Sequence, residues 1–140
     1  WVASPIKERG YSGDDSLESR FYSLATGLQT SREELDLIGE RIFVLHRALT
    51  IRDMSEMDMR NHHDLAPDWI YQDPNGAQVF TRGSIRMDPQ DIAKAMDMFY
   101  ELMGWEKATG APTADTYARL GLQSVAQALA AKKLLPGGKP

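Results

Sequence analysis

The chain has 140 residues, 42% of them hydrophobic, which fits one domain with a core of its own. Its net charge is −4, with 16 basic residues scattered among 20 acidic ones, so we expect no nucleic-acid partner. The sequence has no run of about 18 apolar residues, the length needed to span a bilayer, so we also expect no membrane partner. Because cysteine is absent, this segment holds no disulfide, thiolate nucleophile or cysteine-ligated cluster, which is consistent with a cytoplasmic location.

Residues 1–5 (WVASP) begin the chain with an apolar, aromatic segment. A signal peptide would instead begin with a basic region followed by an apolar one. Such a start is unusual for a natural terminus. We therefore expect the chain to be a fragment, or the ordered part, of a longer protein.

Capping residues and apolar periodicity predict two helices in the first third of the chain. Asp15 and Glu18 have capping-box spacing, and this helix ends near Gly27. Thr30 and Glu33 repeat the spacing before the strongest helix, about 31–50, which we interpret as the central helix. Its apolar face is wide enough to be covered on more than one side, and consists of Leu35, Ile38, Ile42, Leu45 and Leu49, flanked by Leu37, Phe43, Val44 and Ala48.

Residues 52–87 form a long irregular loop region in this interpretation. Prolines and turn dipeptides such as those in 73–76 (DPNG) interrupt it, leaving room for one helical turn and one short hairpin. Loops of this length inside a compact domain are uncommon and often functional.

Three more helices follow. Asp88 and Pro89 predict a helix over 89–103 that ends at Gly104. Thr113 caps a short helix that extends to Leu120, and the last helix covers about 123–133, before a flexible tail at 136–140. The predicted fold class is all-α: an irregular bundle of about five helices with one long irregular loop region.

The sequence His62-His63-Asp64, preceded by Arg60 and Asn61, is the most chemically suggestive segment. Imidazole and carboxylate groups bind metals, and histidine is a common acid or base. Adjacent histidines on an extended loop point in opposite directions, however, and no HExxH spacing is present. A structural or solvent-facing role is favoured, and lining of a pocket and a metal site are the alternatives.

Other polar and sulfur-containing residues have more ordinary interpretations. His46 is expected to pack within the central helix. Arg41, Arg47 and Arg52 are expected to pair with acidic neighbours along the helix or, alternatively, to cross-link this domain to another. The methionines are expected in the core, with lining of an apolar channel as the alternative. No phosphate-binding loop or nucleophilic triad is recognisable.

The order of several short motifs over about residues 20–135 is similar to the C-terminal part of the aldehyde ferredoxin oxidoreductase family. These motifs are 22–27 (YSLATG), Glu34-Leu35, 39–47 (GERIFVLHR), 50–52 (TIR), Asp88 and Asp91, 98–100 (MFY), Gly104-Trp105, 110–113 (GAPT) and 120–122 (LGL). No single motif is specific; their order and spacing carry the resemblance.

The resemblance implies a C-terminal helical domain that covers the cofactor site and shapes the substrate channel of an enzyme converting aldehydes to carboxylic acids. The full-length enzyme would bind a tungsten or molybdenum bis-pterin (molybdopterin) cofactor and one 4Fe–4S cluster, and pass electrons to ferredoxin or another carrier. The family's catalytic and cluster-binding residues lie upstream, so we predict no catalytic, cofactor or metal residue here and no activity of this segment alone. Its partners would be the upstream domains and, as a possibility, further copies.

Two segments depart from the family pattern: residues 44–52, and the loop 60–68. They indicate a subfamily with its own substrate. Arg60, Asn61, His62 and His63 are the candidates for the substrate-channel wall. The alternatives are the tungsten subunit of an aromatic acyl-CoA reductase from the same family, or a stand-alone helical binding or scaffold module.

Overall fold

The computed structural model describes residues 16–67, residue 71 and residues 88–137. Within them it contains no strand, only one isolated antiparallel bridge between Trp105 and Pro112. The all-α prediction is confirmed. The described helices are α1 (Ser16–Thr26), α2 (Arg32–Met54), α3 (Met59–His62), α4 (Pro89–Met103), α5 (Ala114–Arg119) and α6 (Gln123–Ala131).

The residue contacts divide the chain into two compact units, 1–43 and 44–140. The first contains α1 and the start of α2, and the second contains the rest of α2 and the later helices. The single domain predicted over 1–140 stays a prediction. The hairpin predicted within 52–87 and the last residues of the predicted tail lie outside the described residues. None of the described helices is both long and apolar enough to cross a membrane.

In the first unit, α2 begins one residue later than the sequence predicts. Ser31 and Glu34 form the capping box: the Ser31 N–H donates to Glu34 Oε2 at 2.8 Å, and the Glu34 N–H donates to Ser31 Oγ at 3.2 Å. Thr30 is already engaged, because its N–H donates to Ser23 Oγ at 3.0 Å. The predicted Thr30–Glu33 box is therefore wrong by one position, while the end of α1 at Gly27, with φ +75°, is confirmed.

The predicted apolar face of α2 differs from the buried one. The buried residues of α2 are Val44, Arg47, Ala48 and Ile51, whereas Leu49 is 46% exposed. Within the second unit the buried residues of α2 lie on one face, and the prediction that the helix is covered on more than one side stays a prediction. An apolar stripe shows what a helix can bury, but the buried face depends on what the rest of the chain places beside it.

The second unit is built around a core from all of its helices. Helix α4 has the predicted bounds: the Asp88 side chain accepts from the Gln90 N–H at 2.8 Å, and Gly104 ends the helix in the left-handed conformation. Helices α5 and α6 pack against each other. The buried apolar residues are Val44, Ala48, Ile51, Met59, Tyr100, Trp105, Ala111, Tyr117, Leu120, Leu122, Ala126, Leu129 and Leu134.

A tight loop after α4 fixes the ring of Tyr100. The Gly110 N–H donates to the Glu106 carbonyl at 2.7 Å, and the Glu106 N–H donates to the Ala111 carbonyl at 2.9 Å. Gly110 has φ +67°, and a Cβ atom there would lie 2.8 Å from Cζ of Tyr100. The loop backbone therefore approaches the ring more closely than any side chain at this position would allow.

We predict that Gly110→Ala destabilises the protein more than Gly121→Ala. Both glycines have a left-handed backbone conformation, but a Cβ atom at Gly121 would meet no atom within 4 Å. The strained backbone should cost each variant about 1–2 kcal/mol, and the clash with Tyr100 should cost Gly110→Ala about 1–3 kcal/mol more. Urea denaturation measures both losses, and equal losses would contradict the close approach.

Candidate functional site

Four polar side chains from three parts of the second unit meet at Asp64. We call Arg47, His63, Asp64 and Tyr100 the Asp64 cluster. Arg47 donates from Nη1 to Oδ1 of Asp64 at 2.7 Å and from Nη2 to Oδ2. The Tyr100 hydroxyl donates to Oδ2 at 2.7 Å, and His63 Nδ1 lies 2.8 Å from Oδ1. Each carboxylate oxygen therefore has two partners.

The short helix α3 delivers Asp64 to this position. Its N-cap Asp58 accepts a bond from the Asn61 N–H at 3.1 Å. The N–H groups of His63 and Asp64 then both donate to the Met59 carbonyl, at 2.9 and 2.8 Å, so the helix ends in a tight turn. Because Met59 is fully buried, this turn is anchored to the core and the Asp64 side chain points back towards α2.

Arg47 is a buried cation in this arrangement. Its side chain is 9% exposed and that of Asp64 is 19% exposed. The guanidinium also lies over the ring of Trp105, 4.8 Å from the ring centroid, where the face of the indole attracts a cation. A bidentate bond and an aromatic platform together suit the planar guanidinium and would not suit an ammonium group.

The charge states within the cluster follow from its contacts. Burial by itself would raise the pKa of Asp64, but the hydrogen bonds from Arg47, His63 and Tyr100 outweigh it and lower the pKa to about 2. Burial and the neighbouring Asp64 carboxylate raise the pKa of Tyr100. At neutral pH, Asp64 is therefore an ionised acceptor and Tyr100 a neutral donor.

Two of the four predicted channel residues hold the chain together internally. Arg60 donates from Nη1 to Asp97 Oδ1 at 2.6 Å and to the Lys107 carbonyl at 2.8 Å, so it joins α3 to α4 and to the following loop. Its guanidinium also lies over the ring of Tyr100, 5.6 Å from the centroid. The Asn61 side chain donates to both carboxylate oxygens of Asp58.

The other two predicted channel residues are half-exposed. The side chain of His62 is 56% exposed, with Nε2 4.0 Å from Glu56 Oε2, and that of His63 is 47% exposed. The two rings lie beside different carboxylates. Their role in a substrate channel stays a prediction.

The described residues offer no donor set for a metal or a cluster. No group of three or more His, Cys, Asp or Glu side chains in the described part of the chain could hold a metal ion. The sequence contains no cysteine, the residue whose thiolate holds iron–sulfur clusters. The described residues therefore do not fit the binding of a cysteine-ligated cluster.

Sequence reasoning identified the type of contact that Arg47 makes but not its partner. A buried bidentate arginine was one of the two interpretations, with the partner expected in another domain; the partner is Asp64, within the same unit. The other interpretation, pairing along the helix, holds for Arg52, whose Nη2 lies 2.7 Å from Asp53 Oδ1. The role of Tyr100 was missed. A useful signal was available: one cation on an otherwise apolar helix face requires a buried anion elsewhere.

Core packing, the favoured interpretation, holds for four of the described methionines and is wrong for Met54 and Met98, which are exposed. Met59 is buried, and Met57, Met96 and Met103 pack against the core, while Met98 is 72% exposed. A cavity of about 260 Å³ lies elsewhere in the second unit, between α2 and α6. Its lining includes Leu45, Leu49, Val125 and Leu129 but no methionine or histidine.

Comparison with known proteins gives one family. A family model described as "Aldehyde ferredoxin oxidoreductase, domains 2 & 3" matches residues 3–122, which is well over half of the chain. The matched range contains α1 to α5 and every residue of the Asp64 cluster. No solved structure matches the chain.

We predict that Asp64 makes stability depend on pH in acid. Its folded pKa of about 2 lies below the ordinary 3.8, so its stabilisation, about 2 kcal/mol, is complete above pH ~4 and is lost as the pH falls through about 2. The difference in unfolding free energy between the wild type and Asp64→Asn should therefore shrink by about that amount on going from pH 5 to pH 2. Denaturation at each pH measures it.

The control for this experiment is Ile51→Val, which changes a fully buried side chain without changing a charge. Its loss of about 1 kcal/mol should be the same at every pH. A difference for Asp64→Asn that stayed constant from pH 5 to pH 2 would contradict the ionised cluster.

We also predict that Arg47→Lys is strongly destabilising and Arg52→Lys is not. The lysine at position 47 cannot make the bidentate bond or lie flat on Trp105, so the loss should be about 2–3 kcal/mol. The Arg52 side chain is 51% exposed beside Asp53, and its replacement should cost less than about 1 kcal/mol. Chemical denaturation compares the two; similar losses would rule out a special role for the Arg47 contacts.

Proposed function

The chain belongs to the aldehyde ferredoxin oxidoreductase family, and from this premise we propose that it is the C-terminal helical part of an enzyme that oxidises aldehydes to carboxylic acids. The observation that carries the proposal is the family match over residues 3–122. In this proposal the electrons pass to ferredoxin or a similar carrier. The upstream domains of the same protein are the immediate partners of this segment.

The metal chemistry of such an enzyme would take place outside this segment. A tungsten or molybdenum bis-pterin and a 4Fe–4S cluster would supply the electron transfer when bound. The absence of cysteine from the sequence and of a donor group from the described residues support binding of these groups by upstream residues. The part played by this chain would be to orient the substrate, exclude water and set the polarity of its surroundings, and the segment alone would be inactive.

The segment that carries His62 and His63 is our candidate for a wall of the substrate channel. Three features support it. The two rings are half-exposed; the chain beneath them is anchored by the buried Arg47–Asp64 pair; and Arg60 ties the same segment to Asp97 and Lys107. A polar group on a rigid support can select substrates by position, because a mobile one would lose entropy on each binding event.

The two histidines are the members of the predicted set with half-exposed rings, whereas Arg60 is bound to Asp97 and Asn61 to Asp58. Each imidazole can donate or accept a hydrogen bond according to its tautomer, so each can contact a polar group of the substrate. Arg60 and Asn61 would act indirectly, because their internal hydrogen bonds keep the segment in place. Residues 44–52 and 60–68 differ from the family pattern, and this difference supports a substrate particular to a subfamily.

We predict that His62→Ala and His63→Ala, made separately in the full-length enzyme, change its preference among aldehydes. Loss of a hydrogen-bonding group in the channel should lower kcat/KM roughly tenfold or more for some aldehydes and less for others. The measurement is kcat/KM for a series of aliphatic and aromatic aldehydes.

His46→Ala is the matched control, because His46 is exposed on α2 and belongs to no predicted channel. The prediction that His46 packs within the helix is therefore wrong. The control variant should leave the whole series unchanged. If His62→Ala and His63→Ala also left every aldehyde unchanged, the channel-wall role would be wrong, although the family assignment would stand.

A further inference from the structure

The ring of His63 lies beside a carboxylate that cannot move freely. Nδ1 of His63 is 2.8 Å from Oδ1 of Asp64 and 3.5 Å from Nη1 of Arg47. The same carboxylate accepts two bonds from Arg47 and one from the Tyr100 hydroxyl. Asp64 could turn away from His63 only by breaking bonds to a buried guanidinium. Arg47 and Tyr100 therefore hold the Asp64 carboxylate in place beside His63.

The charges of these neighbours decide where the ring carries its hydrogen. Asp64 is ionised at neutral pH and offers only lone pairs, so a contact of 2.8 Å with Nδ1 is a hydrogen bond only if Nδ1 carries a hydrogen. A bare Nδ1 could accept from Arg47 only at 3.5 Å, the limit of hydrogen bonding, while its lone pair faced a carboxylate oxygen at the shorter distance. The second arrangement is repulsive.

We propose that Asp64 is a positioning residue that selects the Nδ1–H tautomer whenever the ring of His63 is neutral, so that Nε2 then presents its lone pair at the protein surface as a proton acceptor. The other ring nitrogen of a histidine takes its role from the bond made by the first. The His63 side chain is 47% exposed. None of the described residues makes a hydrogen bond to its Nε2.

The ligand that fits this acceptor is one that brings an O–H group, such as a hydrated aldehyde or an undissociated carboxylic acid. This choice of ligand rests on the proposed function, whereas the tautomer rests only on the contacts of the Asp64 cluster. A carboxylate anion, which has no hydrogen to donate, fits the neutral ring poorly.

His62 is a natural comparison within the same segment. Its Nε2 lies 4.0 Å from Glu56 Oε2, which is beyond hydrogen-bond distance. No fixed carboxylate selects a tautomer for this ring in the described structure. The two adjacent histidines are therefore chemically different, although they are similarly exposed.

The direct test is NMR of the full-length protein labelled with ¹⁵N-histidine. Long-range ¹H–¹⁵N correlations distinguish the two neutral tautomers, and His63→Gln identifies the signals that belong to His63. The wild type should show the Nδ1–H pattern. Asp64→Asn should lose it, because an amide can donate to Nδ1 and so select the opposite tautomer. An Nε2–H pattern for His63 in the wild type would overturn the proposal.

A second measurement does not depend on NMR of a large protein. Diethyl pyrocarbonate acylates an unprotonated imidazole nitrogen, and peptide mass spectrometry follows His62 and His63 separately. Asp64→Asn should slow acylation of His63 by about tenfold, as expected when the partner that orients an imidazole is lost. His62 should react at an unchanged rate. Equal rates for His63 in the two proteins would contradict the positioning role.

If Asp64→Asn fails to fold, Tyr100→Phe replaces it. That variant keeps Asp64 and Arg47, so His63 should retain the Nδ1–H pattern, and its loss would count against Asp64 as the selecting group. These outcomes are separate from the enzyme kinetics. A confirmed tautomer with unchanged aldehyde kinetics for His63→Ala would leave the Asp64 cluster in place and remove the channel role.

Discussion

The buried ion pair between Arg47 and Asp64 is the constraint on which the rest of the second unit depends. It joins α2 to the turn after α3, and through Tyr100 and Trp105 it reaches α4 and the loop that follows. Burying two charges costs solvation energy that their attraction only partly returns, so such a pair is a weak source of net stability. Its stronger effect is on geometry, since a packing that separated Arg47 from Asp64 would leave a buried charge without its partner.

The groups around this pair are held by backbone features that tolerate little change. Gly110 brings the loop against the ring of Tyr100. The hydroxyls of Thr113 and Thr116 both donate to the Gly104 carbonyl, at 3.0 and 2.6 Å, and so fix the end of α4. Tyr100, which donates to Asp64, is therefore also held in place by the Gly110 loop. Arg47, Asp64 and Tyr100 each also have a contact outside the cluster, with Trp105, the Met59 carbonyl and the Gly110 loop.

The internal contacts of the Asp64 cluster lie beside the half-exposed rings of His62 and His63. His63 is oriented by Asp64, and Arg60 ties the same segment to α4. Under the proposed function, this surface would form part of a wall that excludes water and selects the substrate. The second unit would then contribute placement and polarity.

The all-α class, the bounds of α4 and the end of α1 at Gly27 could be predicted from the sequence, and the order of its motifs indicated the family. The helix ends depend on interactions between residues within about four positions, such as caps and left-handed glycines, which are readable along the chain. The fold was needed to show which face of α2 is buried and that Arg47 pairs with Asp64 across 17 positions. Those outcomes depend on the path of the chain between the partners, because a buried charge requires an opposite charge nearby but does not specify where in the sequence it lies.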